Sequence, residues 1–266
     1  MTDPLFDLSG KIALVTGGSR GLGYQMVKAF AERGADCVIA SRKLDNCEAV
    51  AEKVRSLGRR ALAVQVHAAK WDSIDALIET VYAEFGRIDI LVNNAGMSPA
   101  MPSHEVTEQL FDSVLGLNFK GPFRLASQVA KRMADGDGGV IINVTSGAGT
   151  RGSPYTGPYA AAKAGLINLT QTLALELAER GIRVNAVSPG PVVTEAFLEV
   201  LGVENRLDEL TRTIPLGRTG TPDDIAAMVL FLCSPAASWI TGEHHLVAGG
   251  RTQRSYQYRP KQSEET

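Results

Sequence analysis

The feature that most constrains this chain is a regular alternation of short apolar runs with helical stretches. Residues 11–16 (KIALVT), 36–40 (DCVIA), 61–66 (ALAVQV), 88–92 (IDILV), 140–144 (VIINV), 182–187 (IRVNAV) and 244–248 (HHLVA) read as strands. Between them, residues 22–33, 44–57, 72–85, 107–133, 158–179 and 221–233 carry apolar side chains at helical spacing. Gly34, Gly58 and Gly181 stop three of these helices, and Thr221-Pro222 opens the last one. The long stretch 107–133 is expected to break near Gly116 or at Gly121-Pro122. Almost uniformly apolar strands that alternate with helices predict an α/β fold, its parallel sheet buried on both faces.

Short loops, with no internal repeat and no linker, favour one domain over residues 1–266. The connection 191–216 is too long for a simple turn and is expected to act as a lid. The polar tail 251–266 is expected to be loose. With 44% hydrophobic and 21% charged residues, the 266-residue chain can build a sizeable core. Its 27 Lys+Arg against 29 Asp+Glu give a net charge of −2, which offers no electrostatic footprint for nucleic acid or an anionic membrane. No apolar run approaches the roughly 18 residues of a membrane helix, and the N-terminus lacks the regions of a signal peptide. Cys37, Cys47 and Cys233 have no CxxC spacing and read as reduced, buried thiols of a cytoplasmic protein.

Thr16-Gly17-Gly18-Ser19-Arg20-Gly21-Leu22-Gly23 joins the first strand to the first helix. Glycines there permit a tight turn and close approach to an anion, and the helix N-terminus offers N–H groups to phosphate. The spacing is GxxxGxG, and alone it could simply turn the chain. Three further groups fall at or after strand carboxyl ends, where open α/β sheets bind ligands. They are Asn93-Asn94-Ala95-Gly96, then Ser146, then Tyr159-Ala160-Ala161-Ala162-Lys163. Tyr159 and Lys163 share one helical face. An ammonium near a phenol is expected to lower the phenol's pKa from about 10 and suit Tyr159 to general acid/base work. Ser146 taken singly would read as a turn cap, and Asn118 as an ordinary helix residue. His244 and His245 are adjacent, so on a strand they point apart, and no catalytic metal is expected.

Taken together, residues 16–23, 93–96, Asn118, Ser146, Tyr159, Lys163 and 188–194 (SPGPVVT) make the chain resemble the short-chain dehydrogenase/reductase family over residues 8–250. The resemblance implies a single-domain Rossmann fold with a doubly wound seven-stranded parallel sheet. It also implies a homotetramer, with a homodimer as second choice. Two long helical stretches, 107–133 and 158–179, have apolar content to spare for such contacts. Asn118, Ser146, Tyr159 and Lys163 become the implied catalytic set: Tyr159 gives the proton, Ser146 donates to the developing alkoxide, Lys163 holds the ribose and Asn118 positions a water. The implied cofactor contacts are Gly17, Ser19, Arg20, Gly21, Leu22, Gly23, Asn94, Ala95, Gly96, Tyr159, Lys163, Pro189, Gly190, Val192 and Thr194. Within the family the chain looks like carbonyl and retinol reductases with an HVGK-like segment after the third strand. Here it reads His67-Ala68-Ala69-Lys70, and His67 stands where most members place an adenine-contacting Asp.

Cofactor choice is read from the end of the second strand. Ser41 occupies the family's usual acid position, followed by Arg42. A carboxylate there would repel a 2′-phosphate, whereas Ser41 can donate to it and Arg42 and Arg20 can grip it. NADP(H) is therefore expected over NAD(H). The expected activity is hydride transfer between the nicotinamide and a secondary alcohol or ketone. Substrate contacts are expected from Met97, Ser98, residues 147–155 and the lid, whose Ala196, Phe197, Leu198, Val200 and Leu201 suit a medium-sized hydrophobic carbonyl compound. Three other readings remain: an NAD(H)-preferring alcohol dehydrogenase, a non-catalytic cofactor-binding sensor, and another Rossmann-like enzyme such as a methyltransferase. The last has no use for a Tyr-Lys pair.

Overall fold

In a computed structural model, which describes residues 3–194 and 205–251, the seven apolar runs become β1 (Ile12–Thr16), β2 (Asp36–Ser41), β3 (Ala61–Gln65), β4 (Ile90–Asn93), β5 (Gly139–Val144), β6 (Ile182–Pro189) and β7 (His244–Val247). They form one sheet in the order β3-β2-β1-β4-β5-β6-β7, with every pairing parallel. The helices are α1 (Gly21–Glu32), α2 (Leu44–Ser56), α3 (Trp71–Phe85), α4 (Glu108–Leu115), α5 (Gly121–Met133), α6 (Gly157–Leu177), α7 (Asn205–Arg212) and α8 (Pro222–Cys233).

Alternate residues of each strand face opposite sides of the sheet, and helices cover both. Ala13, Val15, Ile39, Ile142 and Val187 pack against Met26, Phe30, Val50 and Val229 of α1, α2 and α8. Leu14, Val38, Leu91, Ile141 and Val184 pack against Ile78, Leu125, Val129 and Leu173 of α3, α5 and α6. Asp89 pins the centre of the sheet: its carboxylate, 5% exposed, accepts the Ile12 N–H at 2.9 Å and pairs with Arg87.

The stretch 107–133 is interrupted at the expected glycines, by a π turn. α4 gives way at Gly116, residues Gly116–Lys120 wind as a π turn, and α5 resumes at Gly121. The connection 191–216 contains α7, and Val192 bridges to Gly220. Residues 195–204 of that expected lid and 252–266 of the expected loose tail lie outside the described residues. Among the described residues no helix is long and apolar enough to cross a membrane, and all three cysteines are free and buried.

Candidate active site

The carboxyl ends of β1 and β4 are joined by Thr16. Its hydroxyl donates to the Val92 carbonyl at 3.2 Å and accepts the N–H groups of Asn94 (3.0 Å) and Ala95 (3.2 Å). The Asn94 amide donates to the carbonyls of Thr16 (2.9 Å) and Gly17 (3.2 Å), which fastens the glycine turn to the sheet. Gly17 has φ +65°, a backbone that disfavours other residues. A Cβ on Gly23 would run into the Gly17 carbonyl, so the turn lies directly on the start of α1. Arg20 stands at the N-cap of α1 and makes no side-chain cap hydrogen bond. The first-turn N–H groups of α1, with Gly21 and Leu22 among them, thus have no side-chain cap of the kind that usually satisfies them.

Beside the turn, Ser19 Oγ lies 2.9 Å from Ser41 Oγ at the end of β2. Arg20 and Arg42 are exposed. His67 follows β3, and its Nδ1 accepts the Ala69 N–H at 3.4 Å. On the other side, Gly190 donates to the Val247 carbonyl at 2.9 Å, after Pro189 ends β6. Val192 is buried, and Thr194 returns to the glycine turn, where a Cβ on Gly21 would lie 3.6 Å from its methyl group. These sequence-predicted cofactor residues fall in the segments at or after the carboxyl ends of β1, β2, β3, β4 and β6.

Pro158 in the first turn of α6 sets Tyr159 and Lys163 on one face of that helix. The Ser146 hydroxyl stands close enough to the Tyr159 phenol to act on its ionisation. Ser146 also caps the turn Gly147–Thr150, its Oγ accepting the Ala148 N–H at 3.2 Å. Lys163 is 3% exposed. Its Nζ donates to the Val144 carbonyl at 2.9 Å and lies 5.7 Å from the centre of the Tyr159 ring.

The expected lowering of the Tyr159 pKa is corrected by this geometry. Burial raises it above its ordinary value, and the hydrogen bond from Ser146 pulls the other way as the smaller effect. Burial also brings Lys163 down to about 8.

Asn118 sits in the π turn, fully buried. Its Nδ2 donates to the carbonyls of Met97 (2.9 Å) and Val114 (3.0 Å), while Oδ1 is buried with no hydrogen-bond partner. A Cβ on Gly96 would stand 2.8 Å from this Oδ1 and 3.7 Å from Lys163 Nζ. The bare glycine thus keeps open a space flanked by an unsatisfied acceptor and an ammonium.

On the expected substrate side, Tyr155 accepts the Met101 N–H through its backbone oxygen at 2.7 Å, which ties the loop after Met97 and Ser98 to residues 147–155. Tyr155 has φ +65°, the one positive value outside glycine among the described residues. Pro191, Ile214, Leu216 and Ala248, together with the paired Arg218 and Asp224, line an open pocket of about 110 Å³ at the base of the connection. Ala196, Phe197, Leu198, Val200 and Leu201 lie outside the described residues.

Sequence reasoning missed the hub role of Thr16. Its signal is a hydroxyl at the last strand position before the glycines. It also missed Asn143, which accepts from Asn93 Nδ2 and donates to Thr170, both at 2.9 Å. A lone Asn inside the apolar run VIINV is the mark of such a buried bridge.

Comparison with known proteins points the same way. A family model described as Enoyl-(Acyl carrier protein) reductase matches residues 17–252. The 3-oxoacyl-[acyl-carrier-protein] reductase FabG of Staphylococcus epidermidis is 41% identical over 242 residues, covering 90% of this chain and 98% of its own. A short-chain type dehydrogenase/reductase from Mycobacterium marinum superposes with a TM-score of 0.88 at 36% identity, covering 94% of this chain and 98% of that one. Two further structures carry cofactors. A 7α-hydroxysteroid dehydrogenase complexed with NADH has a TM-score of 0.90 at 33% identity, covering 95% of this chain and 99% of that one. A blue fluorescent protein from a metagenomic library, in complex with NADPH, has a TM-score of 0.86 at 35% identity, covering 92% and 99%.

Proposed function

Because the chain belongs to the short-chain dehydrogenase/reductase family and is an oxidoreductase of that class, we propose that it transfers hydride between NADP(H) and a secondary alcohol or ketone, with Tyr159 as general acid/base. The observation that carries this reading is the cluster at the end of β5 and the start of α6. Ser146 stands beside the Tyr159 phenol, and the Lys163 ammonium and the open Asn118 Oδ1 flank the space beside Gly96.

The residues present fit a dinucleotide. The turn from Gly17 to Gly23 and the uncapped start of α1 suit a pyrophosphate. Ser41, Arg42 and Arg20 suit a 2′-phosphate, and His67, which follows β3, is assigned to the adenine end. Lys163 and Asn94 to Gly96 suit a ribose, and Pro189, Gly190, Val192 and Thr194 suit the nicotinamide end. When bound, the cofactor supplies the carbon that gives or takes the hydride.

In the reduction direction, Tyr159 donates its phenol proton to the oxygen of the carbonyl as negative charge grows there. Ser146 donates a second hydrogen bond to the same oxygen, a preorganised contact that is stronger in the transition state than in the ground state. Burial keeps the phenol protonated at neutral pH, which suits an acid. Lys163 holds a positive charge behind the ring and stabilises the phenolate left after transfer. Asn118 Oδ1 can accept a water that returns a proton toward Lys163. The connection 191–216 is assigned as a lid over a small alcohol or carbonyl substrate, and the apolar Pro191, Ile214, Leu216 and Ala248 at its base favour a hydrophobic one. A homotetramer, a homodimer being second, and a cytoplasmic location belong to the same proposal.

The test is Tyr159→Phe, assayed by NADPH consumption with a panel of ketones. Turnover should fall by at least about 10²-fold, with NADPH affinity changed little, since the ring still packs. Wild-type kcat in this variant would falsify the assignment, and turnover by neither enzyme would favour a cofactor-binding sensor.

A further inference from the structure

Behind Ser146 lies a line of polar groups that the proposed reaction does not use. His244, on the edge strand β7, has Nε2 2.6 Å from Ser188 Oγ on β6. Ser188 Oγ is in turn 2.7 Å from Thr145 Oγ1, just past the end of β5. Ser188 and Thr145 are both buried. Thr145 Oγ1 donates to the Val187 carbonyl at 3.2 Å, and the Thr145 N–H donates to the same oxygen at 2.8 Å.

These contacts give the line a direction. With the Thr145 proton on Val187, Ser188 must donate to Thr145 and His244 must donate to Ser188, so the imidazole carries its proton on Nε2. The line crosses three neighbouring strands and stops at the residue whose next neighbour is Ser146. There β5 ends, and the extended backbone of Ser146 leads into the turn Gly147–Thr150. Ser146 Oγ accepts the Ala148 N–H and stands beside the Tyr159 phenol, so its placement depends on how firmly Thr145 is held. Buried hydroxyls and an imidazole are costlier than apolar side chains of like size unless all are satisfied.

We propose that His244 is a positioning residue, holding Thr145 through Ser188 so that Ser146 stays on Tyr159. The inference rests on the proton-transfer role proposed for Ser146. Burial, and secondarily the neighbouring His245, keeps His244 below the ordinary histidine pKa. The facing β6 residues Ala186 and Ser188 carry no charge. The ring is therefore neutral at pH 7, with one N–H available for this bond.

The experiment has a spectroscopic arm on the cofactor-free protein and a kinetic arm. Imidazole ¹⁵N NMR should show His244 as the Nε2–H tautomer, with a resonance that moves in Ser188→Ala. His244→Leu should lower kcat about tenfold, a modest share of what a small misplacement can cost, with NADPH affinity unchanged. His244→Gln, which keeps an N–H donor at similar reach, should restore most of it. An unprotonated Nε2, a wild-type kcat in His244→Leu, or no rescue by Gln would overturn the proposal. If His244→Leu fails to fold, Thr145→Ser and Thr145→Val replace it: equal kcat in the two would also overturn it. If the wild-type protein turns over no ketone but the NMR result holds, the reaction assigned to the site fails while the hydrogen-bonded line stands.

Discussion

Lys163 keeps an ammonium 3% exposed, bonded to one carbonyl and with no carboxylate partner among the described residues. Its folded pKa of about 8 lies below the ordinary 10.5, so the unfolded chain binds the proton more tightly. The resulting destabilisation is full below pH 8 and fades as pH rises toward 10.5. Lys163→Met should therefore raise the stability of the cofactor-free protein at pH 7 by up to about 3 kcal/mol, while turnover is lost. Urea unfolding at pH 7 and pH 10 checks this; a less stable variant at pH 7 would count against it. Arg42 makes the opposite case, an exposed cation with no shown ion pair. A charge-assisted hydrogen bond is worth about 1.5–3 kcal/mol, so Arg42→Ala should weaken NADPH binding roughly 10- to 150-fold and leave NADH nearly unchanged. Ser41→Asp should move preference toward NADH. Titration of each variant with both cofactors is decisive, and a wild-type kcat/KM higher with NAD(H) would refute the NADP(H) reading.

Between α4 and α5 the π turn Gly116–Lys120 brings Asn118 under Gly96. It is anchored by Gly121, where a Cβ would fall on the Ala68 carbonyl oxygen. Gly121→Ala should cost about 3 kcal/mol through overpacking. Gly136→Ala, whose Cβ would meet only the Met133 carbonyl at 3.8 Å, should stay within about 0.5 kcal/mol. Thermal melts of both compare the two; equal losses would mean that Gly121 is not tightly packed. The elements themselves are legible in the sequence, because period and glycine stops are local signals. Strand and helix limits read from the chain fall within about two residues of those observed. The π turn is not legible, since one extra residue per turn leaves the apolar pattern almost intact. Nor is α7, a polar helix inside a long connection. The site positions Ser146, Tyr159 and Lys163 follow from spacing, but the direction of the Tyr159 pKa does not. That direction depends on burial by segments far apart in the chain.

For the whole molecule, the outward faces carry apolar groups without cover. Phe111 of α4, Phe123 of α5 and Leu175 of α6 are exposed, and Trp239, before β7, is 98% exposed. In the proposed homotetramer these are contact surfaces. Light scattering at micromolar concentration should give close to four times the 28.3 kDa chain mass; a monomer's mass would rule the assembly out.

The position of β7 has one more consequence. Among the described residues it is the last strand in the sequence, and it pairs with β6 alone. During synthesis every other strand can leave the ribosome and pair before β7 exists. Until the final residues emerge, the nascent sheet ends on the bare β6 backbone, a row of open donors and acceptors that invites another chain. A message cut short between residues 190 and 243 would make that interval permanent. Truncated copies of this protein should therefore be sticky before they are merely inactive.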